Sequence, residues 1–470
     1  MSTHQIDTDY LVVGAGATAM AFVDTLLSET DAQIVVVDRQ HRPGGHWNHA
    51  YPFVRLHQPS AFYGVGSREL SDWTKDTCGV NAGMYSLASG AEVLAYFDHV
   101  MQQRFVPSGR VHWLPMSDYS MAADGAHQIR SLTSGETSRI VVRRKLVDAT
   151  HARTEVPSTH PPKYSVSSEV TCVPVNRLPE ISRPHAAYAV VGSGKTGMDA
   201  CTWLLENGTP PSRIRWIMPR DAWLLDRANF QPGADDFDAF VNNVIGQFEV
   251  MASIDSIDEL FPELERRGLL ARIDRSVEPS TYRCATVSQG ELAQLRRIED
   301  IVRMGRVRNI EATQIVLDHG TLPADPDTLY VDCSAGAIQQ PPNVPVFDGE
   351  RINLLMVRTC QPLFSAALIA FVESHVEDPF EQNALCRVVP SPEHPIDWLR
   401  MWAVNLGNGG RWAQNQQLTA WLGQCRLNFI APMMHGVQKD DTAKFERLKI
   451  MGAKSREAAA KLPALMAQIG

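Results

Sequence analysis

No two of the eight cysteines stand in a C-x-x-C arrangement; they fall at 78, 172, 201, 284, 333, 360, 386 and 425. A zinc site or a local dithiol centre needs closely spaced thiols, so neither is expected, and scattered cysteines fit a reduced, cytoplasmic setting. Basic charge is also scarce: 44 Lys and Arg face 53 Asp and Glu, a formal net charge of −9. Nucleic acids and anionic membranes need a basic surface, so neither is expected as a partner. No apolar run approaches the length of a membrane span, and the short one before Gly14 lacks the basic flank of a signal h-region. Low-complexity segments are missing too. What remains, at 44% hydrophobic and 21% charged residues, is the composition of a globular protein. A length of 470 residues suggests about three domains, or two with insertions.

What the chain does contain is one pattern, twice. Tyr10-Leu11-Val12-Val13 runs into Gly14-Ala15-Gly16-Ala17-Thr18-Ala19. A helical stretch follows, with Met20, Phe22, Val23, Leu26 and Leu27 on its apolar face, and then Ile34-Val35-Val36-Val37 ends in Asp38. Near residue 188 the order recurs: Tyr188-Ala189-Val190-Val191, then Gly192-Ser193-Gly194-Lys195-Thr196-Gly197, a helix to about Glu206, and Ile214-Arg215-Trp216-Ile217-Met218. Continuous β-branched runs around a helix predict βαβ units with strands buried on both faces of a parallel sheet. A weaker likeness links Lys145–Thr150 to Thr328–Gly336, both apolar strands ending in small residues. Ile315-Val316-Leu317 before Asp318-His319-Gly320 predicts a hairpin. The proline- and serine-rich stretch from Pro157 to Pro184 reads as a linker, residues 228 to 300 read as largely helical, and the section beyond 376, with Trp398, Trp402, Trp412 and Trp421, reads as helical. Those tryptophans are expected in a core or a lid.

In G-x-G-x-x-G/A between strand and helix, the first glycine permits the tight turn and the second lets the backbone approach a pyrophosphate. The third small residue lets helix and strand pack closely, and the pyrophosphate meets the positive helix N-terminus. Gly14, Gly16 and Ala19 take these roles in the first unit, and Asp38 stands where an acid accepts hydrogen bonds from an adenosine ribose; a solvated strand-end acid is the alternative. Gly192, Gly194 and Gly197 take them in the second, with Lys195 and Thr196 in the loop. Gly-Lys-Thr does not make a phosphate loop, because Ala189 occupies the position of its first glycine. After the second unit's last strand come Arg215, Arg220 and Arg227 rather than an acid. A cation there suits a ribose 2′-phosphate and so NADP over NAD, although surface arginines need no ligand.

Two such units, the first followed by Gly44-Gly45-His46-Trp47, resemble the two-dinucleotide-binding-domain flavoproteins. Within that group the chain is similar to the flavin-containing and Baeyer–Villiger monooxygenases. Gly44-Gly45-His46-Trp47 with Tyr51-Pro52 and Arg55 looks like G-G-x-W…Y-P-x-x-R; Val191–Asp199 looks like V-G-S-G-x-S-G-x-D; and Pro219-Arg220-Asp221-Ala222-Trp223 resembles the stretch after their NADPH strand. The likeness runs over about residues 8 to 375. Three departures stand beside it: Val156–Leu178 lacks the linker fingerprint F-x-G-x-x-x-H-x-x-x-W/Y, His57 stands where an aspartate is usual, and His151 rather than glycine follows Ala149-Thr150.

The resemblance implies an α/β fold: an FAD-binding Rossmann-like domain in two pieces (1–175 and 320–375), an inserted NAD(P)H-binding Rossmann-like domain (176–319) and a helical C-terminal section (376–470). It implies FAD and NADPH as cofactors, hydride transfer to the flavin, a flavin C4a-peroxide, and oxygen transfer from molecular oxygen to a small organic substrate. A dehydrogenase or oxidase of the same fold, or a degenerate non-catalytic flavoprotein, are the alternatives. Gly45, His46 and Trp47 would line FAD. Arg55, His57 and Gln58 would approach the reacting face, Arg55 and His57 pointing the same way if the segment is extended; a loop with one buried histidine is the bland reading. Gln361 and Ser365 would stand at a helix N-terminus near the flavin, with Ser365 as N-cap, unless they merely cap an ordinary helix.

Overall fold

The structure, a computed structural model, describes residues 4–151, 154–336, 344–434 and 441–469. Its helices are α1 (Ala17–Glu29), α2 (Gly90–Val100), α3 (Lys195–Glu206), α4 (Phe237–Ser253), α5 (Leu260–Arg266), α6 (Gln289–Leu295), α7 (Pro362–His375), α8 (Pro379–Leu385), α9 (Asp397–Trp412), α10 (Gln416–Gln424), α11 (Ile430–Met434) and α12 (Thr442–Met466).

The β-branched runs become the central strands of two sheets. In the first, His4–Val13 lies between Ile34–Val37 and Thr137–Asp148, with Val111–Leu114 and Arg351–Asn353 outside them, all parallel. Phe347–Asp348 pairs antiparallel with Arg351–Asn353, and Ser117–Met121 and His127–Ser131 form an antiparallel meander with Thr137–Asp148. Every residue of Ile34–Val37 is buried, as strands covered on both faces require. On one face Phe22 and Leu26 of α1 share a core with Ala366, Ala367 and Ala370 of α7. Burying each such Phe or Leu contributes roughly 1.5–3 kcal/mol.

The second sheet repeats the arrangement: Ala187–Val191 lies between Ile214–Ile217 and Thr328–Asp332, with Asp300–Val302 and Cys172–Pro174 outside, all parallel. The α/β fold with two Rossmann-like sheets and a helical C-terminal section is therefore present. The unit boundaries differ from expectation. Thr328–Asp332, allotted to the first unit, fills the place beside the second glycine strand, and Cys172–Pro174 pairs with it. Apolar strands ending in small residues are alike in both units, so only pairing decides which sheet each one joins.

Two local readings also change. Within 228–300 the chain forms α4, α5 and α6, but Thr281–Val287 is a strand parallel to Ala222–Asp226. The stretch 157–184 is not a bare linker, because Ser165–Val166 pairs with Val307–Ile310 and Cys172–Pro174 enters the second sheet. The hairpin forms as read, Leu317 pairing with Gly320. Beyond 376 the chain is helical; Trp398 and Trp412 are buried, and Trp412 Nε1 donates to Leu385 O at 2.8 Å. Trp421 stacks on Phe371 with centroids 4.8 Å apart. Arg426 fastens this section to the first unit by donating to the carbonyls of Ala61, Tyr63 and Val65 at 2.9, 2.9 and 2.7 Å. Among the described residues no helix is long and apolar enough to cross a membrane.

Candidate dinucleotide sites

The two glycine loops have one geometry. Gly14 and Gly192 have φ of 99° and 129°. Gly16 and Gly194 are the N-caps of α1 and α3, at φ/ψ of −72/177° and −75/179°, and neither helix has a side-chain cap. Elsewhere the chain closes α2 and α6 with full capping boxes, from Ser89 with Glu92 and Ser288 with Glu291. Both loops thus leave backbone N–H groups and the positive helix end available to an anion. Parallel strands end in register beside them: Val13 with Val37 and Asp148, and Val191 with Ile217 and Asp332. This edge, at the carboxyl ends of the strands, is where open α/β sheets bind ligands.

In the first unit Asp38 braces the loop itself, accepting from Ala15 N at 2.5 Å and Gln40 N at 2.7 Å. Burial pushes its carboxyl above the usual range, with those backbone donors opposing the shift. Gly44 N donates to Ala15 O at 2.8 Å, and a Cβ on Gly45 would stand 2.9 Å from Gly16 Cα, so only glycine lets the two loops touch. His46 is exposed and stacks on buried Trp47, centroids 5.3 Å apart. Trp47 Nε1 donates to Tyr63 Oη at 2.7 Å. Gly14, Gly16, Ala19, Asp38, Gly45, His46 and Trp47 therefore fall together around one loop.

In the second unit a Cβ on Gly197 would meet Gly192 O at 2.2 Å, while Gly194 has nothing within 4 Å. The third glycine thus serves packing and the second faces open space. Lys195 departs from expectation. Its ammonium is held by Asp199 and by Glu291 Oε1 at 2.8 Å, so it is neutralised within the protein. Thr196 follows it in the first turn of α3. Glu291 also takes Arg227 at 2.6 Å; burial raises its pKa, but Lys195 and Arg227 outweigh that and bring it to about 2. Tyr51 Oη donates to Asp199 Oδ2 at 2.5 Å, tying the segment after the first glycine unit to α3.

The polar trio is split. Arg55 is exposed and donates to Leu87 O at 2.8 Å. His57 is turned inward, its Nδ1 buried without a hydrogen-bond partner and its carbonyl accepting from Arg227 Nε at 3.0 Å. Burial first, and the charges of Lys195 and Arg227 next, bring its pKa to about 4. Gln58 is half-buried beside it. The common face failed because the segment is not extended: Tyr51 O accepts from Val54 N in a turn, and only Arg55 bridges to Ser89.

Two of the three arginines are also engaged: Arg215, inside the Ile214–Ile217 strand, with Asp300 at 2.8 Å, and Arg220, beyond its end, with Glu393 at 3.1 Å. At α7 the N-cap is Gln361, with Pro362 in the first turn. Ser365 lies inside the helix, fully buried; its Oγ accepts from Val357 N and Arg358 N and donates to Gln361 O. Gln361 Oε1 is buried without a partner. Arg358, unremarked in the sequence, lies 3.9 Å over the Phe364 ring and 4.8 Å over Trp412, and burial lowers its pKa to about 10. Tyr51, Asp199, Glu291 and Arg227 were missed as one buried network. Two signals were legible: Asp199 four residues after Lys195, and Ser288-x-x-Glu291 as a capping box.

Residues 12–65 match the family described as NAD(P)-binding Rossmann-like domain. Among solved structures, the open crystal structure of cyclohexanone monooxygenase is similar at a TM-score of 0.49 and 14% identity, over 81% of this chain and 91% of that one. Cyclohexanone monooxygenase from Rhodococcus sp. Phi1, bound to NADP+, gives 0.48 and 13%, over 79% and 85%. Likenesses this distant carry no argument about the reaction. Much nearer are uncharacterized protein Rv2000 of Mycobacterium tuberculosis and uncharacterized protein Mb2023 of Mycobacterium bovis, each 51% identical over 429 residues, 91% of this chain and 79% of theirs. With half its residues shared along nine-tenths of its length, the chain belongs to the family of these mycobacterial proteins.

Proposed function

We propose that the chain is an FAD- and NADPH-dependent monooxygenase that oxygenates a small organic substrate with molecular oxygen. The observation that carries this reading is the repeated loop geometry: two strand–glycine–helix turns with matching dihedral angles and uncapped helix N-termini. One turn suits each dinucleotide. The residues present fit both groups. A Cβ at Gly16 would approach only Gly45 Cα, at 3.8 Å, and one at Gly194 would meet nothing, so bare backbone is open to phosphates at both loops.

Gly14, Gly16 and Ala19 with the first turn of α1 would hold the FAD pyrophosphate. Each Asp38 oxygen, having accepted one backbone N–H, keeps a lone pair for ribose hydroxyls. Gly45, His46 and Trp47 pack against that loop. Gly192, Gly194, Thr196 and Gly197 would hold NADPH, while Lys195 acts as a positioning residue through Asp199 and Glu291. Arg220 would take the 2′-phosphate in exchange for Glu393. Gln361 offers its unbonded acceptor at the N-terminus of α7. Neutral His57 donates at one ring nitrogen and accepts at the other, so this half-buried side chain can hold or relay a proton. Bound FAD would supply two-electron exchange with reduced nicotinamide and the activation of oxygen.

One observation favours a second reading, a dehydrogenase or oxidase: Arg55, the cation assigned to the reacting face, is exposed and bonded to Leu87 O. The absorbance spectrum of purified protein and its bleaching by NADPH without oxygen test the flavoprotein reading. Colourless protein that takes up no FAD overturns it. Oxygenated product formed in step with NADPH consumption supports the monooxygenase; peroxide or dehydrogenated product alone supports the second reading.

A further inference from the structure

Cys284 and Cys360, 76 residues apart and expected to be free thiols, are bonded as a disulfide with Cα atoms 6.4 Å apart. The other six cysteines are free. Three features set the pair apart. First, it joins separate elements: Cys284 lies on Thr281–Val287, and Cys360 directly precedes the N-cap of α7. Second, the backbone is unusual at both ends. Among the described residues four non-glycines have positive φ, and two of them are Cys284 at 56° and Cys360 at 53°. Such conformations persist only where the surroundings hold them, and they gather at functional sites. Third, Cys284 sits in an irregularity of strand pairing. Between the pairs Trp223–Tyr282 and Leu225–Thr286 three residues oppose one, which re-aims a side chain. Cys284 is buried, whereas Cys360 is only partly so, and attack is therefore assigned to the Cys360 sulfur.

We propose that Cys284 and Cys360 form a reversible thiol–disulfide centre, reduced by a low-molecular-weight thiol, that locks the Thr281–Val287 strand to the loop leading into α7. A thiolate attacks Cys360 Sγ, the protein S–S bond breaks, and Cys284 leaves as a thiolate that takes up a proton. A second thiol then attacks the mixed disulfide, releasing the small-molecule disulfide and leaving Cys360 as a thiol; two electrons have passed from two thiols to the protein. The loop does not unfold with the lock open. Val357 N and Arg358 N still donate to Ser365 Oγ, Thr359 N to Asn405 Oδ1, and Asn408 Nδ2 to Val357 O. Opening is therefore local, and the centre needs no bound cofactor.

The test counts and maps thiols in the full chain purified in air. Iodoacetamide under denaturing conditions, then reduction and N-ethylmaleimide, should leave the maleimide on 284 and 360 alone, with six cysteines alkylated first. Both residues in the iodoacetamide fraction would overturn the proposal. Dithiothreitol on the native protein should raise the labelled total from six to eight after denaturation, and air or an added small-molecule disulfide should return it to six. A pair that resists reduction until the protein unfolds would be a structural bond and would overturn reversibility. Amide exchange should quicken at 281–287 and at 360–361 on reduction and stay unchanged in the first sheet. Cys360→Ser should exchange like reduced wild type and ignore dithiothreitol; exchange identical in oxidised and reduced protein would overturn the lock. Should Cys360→Ser fail to fold, the wild-type comparison alone decides.

Discussion

Asp148 and Asp332 occupy one position in two different sheets: each pairs in register with the valine before a glycine loop, Val13 and Val191. Each also folds back on the residue two places on. Thr150 donates from N at 2.8 Å and Oγ1 at 2.6 Å to Asp148, and Ser334 from N at 3.1 Å and Oγ at 2.6 Å to Asp332. Their surroundings differ. Asp148 pairs with Arg351, whereas Asp332 Oδ2 is buried with no hydrogen-bond partner. Asp148→Asn loses an ion pair and Asp332→Asn does not, so the former should cost about 1 kcal/mol more. Urea unfolding of the two variants measures the difference, and equal losses would show that the Arg351 pair contributes nothing.

Gly194 and Gly197 should respond in opposite ways. Gly197→Ala places a methyl 2.2 Å from Gly192 O, so α3 must move off its strand; overpacking of this kind costs about 1–3 kcal/mol. Gly194→Ala meets nothing within 4 Å and should fold as wild type. On the proposed reading it should still weaken NADPH binding, because its methyl stands where phosphates approach. Normal NADPH binding by Gly194→Ala would remove that loop from the site.

His57 sets a pH dependence of stability. Its folded pKa of about 4 lies below the unfolded value of 6.5, so the unfolded chain takes the proton first. Stability is then full above pH 6.5 and falls as the pH drops toward 4, by about 3 kcal/mol for this one group. His57→Asn should flatten that part of the profile in urea unfolding at neutral pH and near pH 4.5. The same neutrality means that product coupling should not titrate through the ordinary histidine range. A slope unchanged in the variant would assign the acid loss to other groups.

Glu393, which takes both Arg220 Nη1 and Nη2, competes with a 2′-phosphate for that guanidinium. Glu393→Ala should therefore tighten NADPH, with NADH nearly unchanged. Arg220→Ala should weaken NADPH by roughly tenfold or more, the scale of a lost charge-assisted hydrogen bond. Parallel titrations with both coenzymes decide it. Unaltered discrimination in both variants would exclude Arg220 from the site.

Features set within a few residues of each other were readable from the amino-acid order alone. Two apolar runs ending in glycine turns specify two βαβ units, because burial on both faces selects β-branched strands and a phosphate-binding turn needs glycine. The hairpin at Leu317–Gly320 and the helical section after 376 were legible for the same reason, since turn chemistry and helical period lie within a few residues of each other. Tertiary structure decided which distant groups meet. It carried Thr328–Asp332 into the second sheet, turned His57 inward and Arg55 outward, gave Lys195 to Glu291, buried Ser365 inside α7, and joined Cys284 to Cys360. Those outcomes depend on which buried polar or charged group finds a partner once the sheets and helices have closed. A charge or a thiol carries no local pattern that names a partner 76 or 96 residues away.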